Sequence, residues 1–145
     1  MKLFFVRHGE TLANAEGRIQ SQVPPPAFGL SPAGRQQAEE LRERFEREGL
    51  KPTHLYCSPL RRTQETAEII SRSWSLPITY WDDLMEHGLG IVSGLTVGEI
   101  REKHPEIDVE SEEARGFSGV EGAEADDVIA TCTQRVIDNP DLTNL

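Results

Sequence analysis

Short apolar segments alternate along the chain with segments of helical periodicity, and this alternation constrains the fold more than any other feature. Three apolar segments are rich in aromatic and β-branched residues and are bounded by turn residues, which is typical of strands. These predicted strands are residues 2–6, 54–57 and 78–81. The predicted helices are residues 31–48, 60–73, 96–103 and 128–138. Strands that alternate with helices favour an α/β fold, in which right-handed crossovers join parallel strands.

Flanking residues mark the first long helix and two segments outside the regular elements. Ser31 followed by Pro32 is a typical N-cap and first helical residue, and Gly49 is placed to end the same helix. Residues 9–30 are expected to form a long loop, which in a compact domain is often functional. The acidic, glycine-containing segment 106–127 is expected to be a solvated excursion.

Charge and composition restrict the class of protein. The 145 residues suit a single domain, and the net charge of −10 disfavours nonspecific binding to nucleic acid or to an anionic membrane. The charge is uneven, because residues 1–72 carry 11 basic and 9 acidic side chains whereas residues 73–145 carry 4 and 16. The first half is therefore the place to look for an anion site.

No apolar run reaches the roughly 20 residues of a membrane span, and no signal peptide is recognisable, so we expect a cytoplasmic protein. Cys57 and Cys132 form no disulfide framework or metal motif.

Charged side chains follow each predicted strand at the point where the strand ends. Arg7 and His8 follow the first strand and Arg62 follows the second. Ligands of α/β sheets bind at the carboxyl ends of the strands, so these side chains are expected to meet. A histidine beside arginines can attack a phosphorus atom that the guanidinium groups hold. The tripeptide Arg-His-Gly alone is equally compatible with a surface histidine. Glu86 follows the third strand and could serve as a general acid, whereas Asp82 and Asp83 are interpreted as a solvated strand end.

Five ordered stretches resemble the histidine phosphatase superfamily, which has the phosphoglycerate mutase-like fold. They are Leu3–Thr11 with Asn14, Leu30–Gly34 with Gln37-Ala38, Ser58–Arg62 with Thr66-Ala67, Leu84–Glu86 with Gly90 and Gly94–Thr96, and Gly122–Glu124. The resemblance extends over essentially the whole chain. It implies a three-layer α/β/α sandwich with a mostly parallel sheet, as one domain over residues 1–145.

The resemblance also implies a role for each site residue. His8 is expected to become a phosphohistidine, Arg7 and Arg62 to clamp the phosphoryl group, and Asn14 to add a side-chain contact. Glu86 is expected to protonate the leaving oxygen and later to assist a water molecule. No metal or other cofactor is implied, and the expected partner is a small phosphorylated substrate rather than nucleic acid or a membrane.

The sequence departs from the family pattern in several places. Ser21 stands where many members have glycine, and Val92-Ser93 stand where many have Trp-Glu. The family's second pocket histidine, which follows a further strand, has no counterpart, so we expect a domain truncated before its last strands. His87 is the only plausible substitute. The shortened sheet would leave an exposed edge, through which a homodimer could form.

Three functions remain open at this point. The favoured one is a metal-independent phosphatase that hydrolyses a small phosphomonoester. The second is phosphoglycerate mutase-type transfer, which is less favoured because only about 35 residues separate Glu86 from Gly122, too few for the helical insertion of most mutases. The third is a truncated or inactive family member that binds phosphate.

Overall fold

The computed structural model describes residues 2–22 and 28–124, which form two compact units. The first unit contains residues 2–12 and 28–85, and the second contains residues 13–22 and 86–124. The prediction of one domain over residues 1–145 stays a prediction. The predicted helix 128–138 and the prolines at 24–26 lie outside the described residues.

In chain order, the described residues contain a parallel β–α–β unit preceded and followed by helices, which confirms the α/β class. The helices are α1 (Leu12–Ala15), α2 (Pro32–Arg47), α3 (Arg61–Ile70), α4 (Val97–Lys103) and α5 (Val109–Ala114). The strands are β1 (Leu55–Cys57) and β2 (Ile78–Tyr80), which pair in parallel with Leu55 opposite Ile78. Short 3-10 turns occupy Ser71–Ser73, Asp82–Leu84 and Gly90–Val92. None of the described helices is both long and apolar enough to cross a bilayer.

Helix α2 begins and ends where its flanking residues predict. The Ser31 hydroxyl accepts the Gly34 N–H at 3.0 Å, which satisfies one of the free donors of the first turn. Gly49 follows the helix with a φ of +65°, a conformation that favours glycine. The apolar face of α2 packs against α3, and this contact forms the core of the first unit. Its buried residues are Leu30, Ala38, Phe45, Ile69 and Ile70.

The prediction of a buried strand at residues 2–6 is wrong for this structure. Residues 2–10 form no strand within the described part of the chain. The side chains of residues 3–6 are exposed, and Phe5 keeps 91% of its surface accessible. A central strand is buried by its neighbours on both sides, and the described sheet consists of β1 and β2 alone. Within the described residues, the segment pairs with neither β1 nor β2.

The expectation of a solvated excursion over residues 106–127 is wrong for part of that segment, which forms helix α5 and contributes buried side chains to a core. Asp108 caps α5 by accepting the Ser111 N–H at 3.2 Å. Val109, Phe117 and Val120 are buried in the core of the second unit. The remaining buried members of that core are Leu89, Val92 and Ile100. Three well-spaced apolar residues thus anchor a segment whose overall composition is acidic.

Candidate active site

His8 is half-buried in the first unit, and one of its ring nitrogens is committed to the backbone. Its Nδ1 lies 2.8 Å from the carbonyl oxygen of Gly9, a distance at which Nδ1–H donates a hydrogen bond. An imidazole that is protonated at Nδ1 carries its lone pair on Nε2. A neutral imidazole in this arrangement therefore carries its lone pair on Nε2.

Two glycines let the His8 loop lie directly on the start of α2. A Cβ on Gly9 would lie 2.3 Å from the carbonyl oxygen of Gly34, and a Cβ on Gly34 would lie 1.9 Å from the carbonyl oxygen of Glu10. Both distances are far inside van der Waals contact, so neither position accepts a side chain without a backbone shift. The approach lets the Ser31 N–H donate to the Glu10 carbonyl at 2.9 Å. The loop is thus held by α2 although it forms no strand.

Arg62 lies in the first turn of α3, just beyond the carboxyl end of β1. Its residue surface is only 2% exposed. Thr66, one turn further along α3, accepts the Gly9 N–H at 3.2 Å and donates to the Arg62 carbonyl at 2.8 Å. The structure therefore brings the backbone of His8 and the Arg62 turn together within the first unit. Arg7 precedes His8 and is exposed.

Glu65 ties α3 to the segment that leads into α2. Its carboxylate accepts the Leu30 N–H at 2.9 Å, and it forms ion pairs with Arg61 at 2.7 Å and Arg35 at 2.8 Å. Burial acts to raise the pKa of Glu65, but the hydrogen bonds from Arg61 and Leu30 and the charges of both arginines outweigh it, so that the pKa lies below its usual value. The carboxylate is thereby kept ionised beside the Arg62 turn. No local sequence pattern marks Glu65 for this role.

Glu86 and Asn14 belong to the second unit, where both are exposed. The carbonyl of Glu86 accepts the Gln22 side-chain amide at 2.9 Å. The Ser21 hydroxyl donates to the His87 carbonyl at 3.0 Å and accepts the Leu89 N–H at 2.8 Å. The side chains of Ser21 and Gln22 therefore hold the backbone around Glu86 in place through hydrogen bonds.

Ser21 and Thr66 support the predicted site residues but were not predicted to do so. The spacing in sequence could have indicated Thr66, because it lies four residues after Arg62 and so stacks on it along a helix face. The departure from the family pattern could have indicated Ser21, because it replaces a glycine that many family members have. Its φ of +50° explains why glycine suits this position.

Within residues 2–22 and 28–124 no group of three or more His, Cys, Asp and Glu side chains is arranged to hold a metal ion.

The family model of the histidine phosphatase superfamily (branch 1) matches residues 3–138, nearly the whole chain. The chain belongs to the histidine phosphatase superfamily. This confirms the family resemblance seen in the motifs around His8, Gly34, Arg62 and Glu86.

Proteins similar to this chain are named as mutases or as phosphatases. A protein of Salmonella arizonae named "Probable phosphoglycerate mutase GpmB" is 38% identical over 103 residues, which cover 71% of this chain and 46% of that protein. Bacillus stearothermophilus YhfR has a similar structure, with a TM-score of 0.74 and 30% identity over 90% of this chain and 62% of its own. A mycobacterial glucosyl-3-phosphoglycerate phosphatase gives a TM-score of 0.71 at 26% identity, covering 92% of this chain and 64% of its own.

A fourth comparison concerns the fold alone. The α-ribazole phosphatase of Shigella flexneri gives a TM-score of 0.79 at 21% identity, covering 96% of this chain and 66% of its own. These likenesses confirm the phosphoglycerate mutase-like α/β fold. The chain spans about half the length of the curated relatives that it matches.

Proposed function

We propose that this chain acts as a metal-independent phosphatase, which hydrolyses a small phosphomonoester through a phosphohistidine on His8. The observation that carries the proposal is the hydrogen bond from His8 Nδ1–H to the Gly9 carbonyl at 2.8 Å. This bond leaves the lone pair on Nε2, where a nucleophile toward phosphorus is needed. Membership of the histidine phosphatase superfamily supports the same reaction class.

In the first step, Nε2 of His8 attacks the phosphorus atom of the substrate. The N–P bond forms while the bond from phosphorus to the leaving oxygen breaks, and the carboxylic acid of Glu86 transfers its proton to that oxygen. Arg7 and Arg62 bind the equatorial phosphoryl oxygens, on which negative charge accumulates in the transition state. Asn14 adds a neutral hydrogen-bond donor to the same group.

In the second step, a water molecule attacks the phosphorus of the phosphohistidine. Its proton passes to the Glu86 carboxylate, the N–P bond breaks, and the electron pair returns to Nε2. Inorganic phosphate leaves, and both His8 and Glu86 regain their starting protonation states. The buried position of Arg62 supports this cycle, because a guanidinium held in the first turn of a helix needs little reorganisation between steps.

Phosphoglycerate mutase-type transfer is the second candidate, and the names of the curated relatives favour it. A mutase keeps the phosphohistidine until an acceptor hydroxyl takes the phosphoryl group, whereas a phosphatase loses it to water. The short distance in sequence between Glu86 and Gly122 supports the phosphatase. The lifetime of the phosphoenzyme with and without 3-phosphoglycerate decides between them: rapid hydrolysis in both conditions identifies the phosphatase.

Turnover of p-nitrophenyl phosphate tests the proposed function. We expect His8→Asn to lower kcat by at least about 10³-fold, as expected for loss of a covalent nucleophile. The matched control is His54→Asn, which removes an exposed histidine of the first unit whose Nδ1 contacts Thr53. Equal activity of wild type and His8→Asn contradicts the proposal. Phosphate binding by a wild type without turnover identifies the inactive alternative.

A cytoplasmic location remains part of the proposal.

A further inference from the structure

The Thr66 hydroxyl lies between the two residues on which the proposed reaction depends most. It accepts the Gly9 N–H at 3.2 Å and donates to the Arg62 carbonyl at 2.8 Å. Thr66 is 4% exposed, so water does not readily replace either bond. One hydroxyl can satisfy both partners, because it has one donor and two acceptor sites. The hydroxyl therefore joins the His8 loop to the helix that carries Arg62.

The two peptide groups that flank Gly9 are each held by a side chain. The His8–Gly9 peptide carries the N–H that Thr66 accepts. The Gly9–Glu10 peptide carries the carbonyl to which His8 Nδ1–H donates, and the N–H of this same peptide donates to Gln37 Oε1 at 2.8 Å. Glycine has no side chain to restrict its dihedral angles. The orientation of the carbonyl that holds the imidazole therefore depends on these outside contacts.

We propose that Thr66 is a positioning residue that fixes the Nδ1–H tautomer of His8 and ties it to the Arg62 turn. The catalytic consequence rests on the proposed function, whereas the tautomer is a property of the unliganded protein. Without the hydroxyl, the Gly9 N–H loses its acceptor, the dihedral angles of Gly9 are less restricted, and the Gly9 carbonyl is held less firmly against Nδ1. Nε2 then spends less time as an aligned nucleophile, and misplacement by about 1 Å costs on the order of 10²-fold in rate.

Three variants separate this role from a general effect on folding. Thr66→Val keeps the shape of the side chain and removes the hydroxyl, and Thr66→Ser restores the hydroxyl. Thr63→Val is the matched control, because Thr63 lies on the same helix and its hydroxyl donates to the Ser58 carbonyl at 2.9 Å rather than to the His8 loop. Far-UV circular dichroism establishes that each variant is folded before it is compared.

The first measurement is the ¹⁵N spectrum of the imidazole rings in the full chain without ligand, with the His8 signals assigned by their absence in His8→Asn. We expect the wild type, Thr66→Ser and Thr63→Val to show a protonated Nδ1 and an unprotonated Nε2. We expect Thr66→Val to shift both signals toward the values of mixed tautomers. Unchanged His8 signals in a folded Thr66→Val overturn the proposal.

The second measurement is the turnover of p-nitrophenyl phosphate. We expect Thr66→Val to lower kcat by roughly 10- to 100-fold with KM changed less than threefold, and Thr66→Ser to recover most of the loss. Equal losses in Thr66→Val and Thr66→Ser overturn the positioning role. A wild type without turnover whose His8 signals still respond to Thr66→Val refutes the proposed function and leaves the positioning role supported.

Discussion

The backbone conformation and the hydrogen bonds of Ser21 allow the effect of its replacement on the free energy of unfolding to be calculated. Its φ of +50° lies in the left-handed region, where a residue other than glycine loses roughly 1–2 kcal/mol. Its side chain is buried and forms two hydrogen bonds, to the backbone of His87 and Leu89, each of which stabilises by about 0.5–1.5 kcal/mol. The two bonds therefore offset the strained backbone.

Two variants at this position separate the hydrogen bonds from the strain. Ser21→Ala and Ser21→Gly both lose the two bonds, but only alanine keeps the strain. Glycine in turn gives the unfolded chain more freedom, which costs about 0.4–1 kcal/mol. We expect Ser21→Ala to lower the free energy of unfolding by about 1–3 kcal/mol. We expect Ser21→Gly to be more stable than Ser21→Ala by about 1 kcal/mol.

Urea denaturation followed by far-UV circular dichroism, which reports on the helices of both units, measures both differences, provided that the slopes of the transitions agree among the variants. The bonds of Ser21 also hold the backbone around Glu86, so both variants are expected to lose more activity toward alkyl phosphates, whose leaving oxygen needs a proton, than toward p-nitrophenyl phosphate. An alanine variant that equals or exceeds the glycine variant in stability would refute the strain at residue 21. Equal losses on both substrates would refute the link to Glu86.

Three further predictions concern the metal, the pH dependence of stability and self-association. Turnover of p-nitrophenyl phosphate is expected to persist after dialysis against EDTA, and a loss that Mg²⁺ restores would contradict the metal-independent mechanism. Because the pKa of Glu65 is lowered in the folded state, its charge stabilises the fold above the unfolded pKa of about 4.3. The stability difference between wild type and Glu65→Gln should therefore be full at neutral pH and vanish as the pH falls through the folded pKa; a difference independent of pH would contradict this. The exposed apolar side chains of residues 3–6 are expected to bury against a second copy of the chain, so that sedimentation shows a dimer that Phe5→Glu dissociates; a wild type that is monomeric at all concentrations would contradict it.

Local signals predicted the elements whose boundaries depend on neighbouring residues in the sequence. The N-cap Ser31 and the terminal Gly49 define α2 from within a few residues of its ends. Thr96 and Glu99 form a capping box that starts α4 in the same way. These interactions are made by residues close in sequence, and the pattern of side chains is therefore sufficient to locate them.

Elements whose burial depends on distant parts of the chain were predicted less well. Residues 3–6 have the composition of a central strand, but burial of a strand requires neighbours that the segment itself does not specify. The burial of Val109 and Phe117 was not predicted, because the residues around them in the sequence are acidic. Their burial depends on contacts with α4 and with the loop before it. The bond from Thr66 to Gly9 joins residues 57 positions apart, which no local pattern reveals.

Detection of a phosphoryl group on His8 tests the central claim most directly. The chain is mixed with a ³²P-labelled phosphomonoester, quenched in alkali within milliseconds to preserve the N–P bond, and digested for peptide analysis. The account predicts label on the peptide that contains His8, loss of that label on the timescale of turnover, and no label in His8→Asn. Turnover with no labelled His8 peptide at any quench time, or label on another residue, would contradict it.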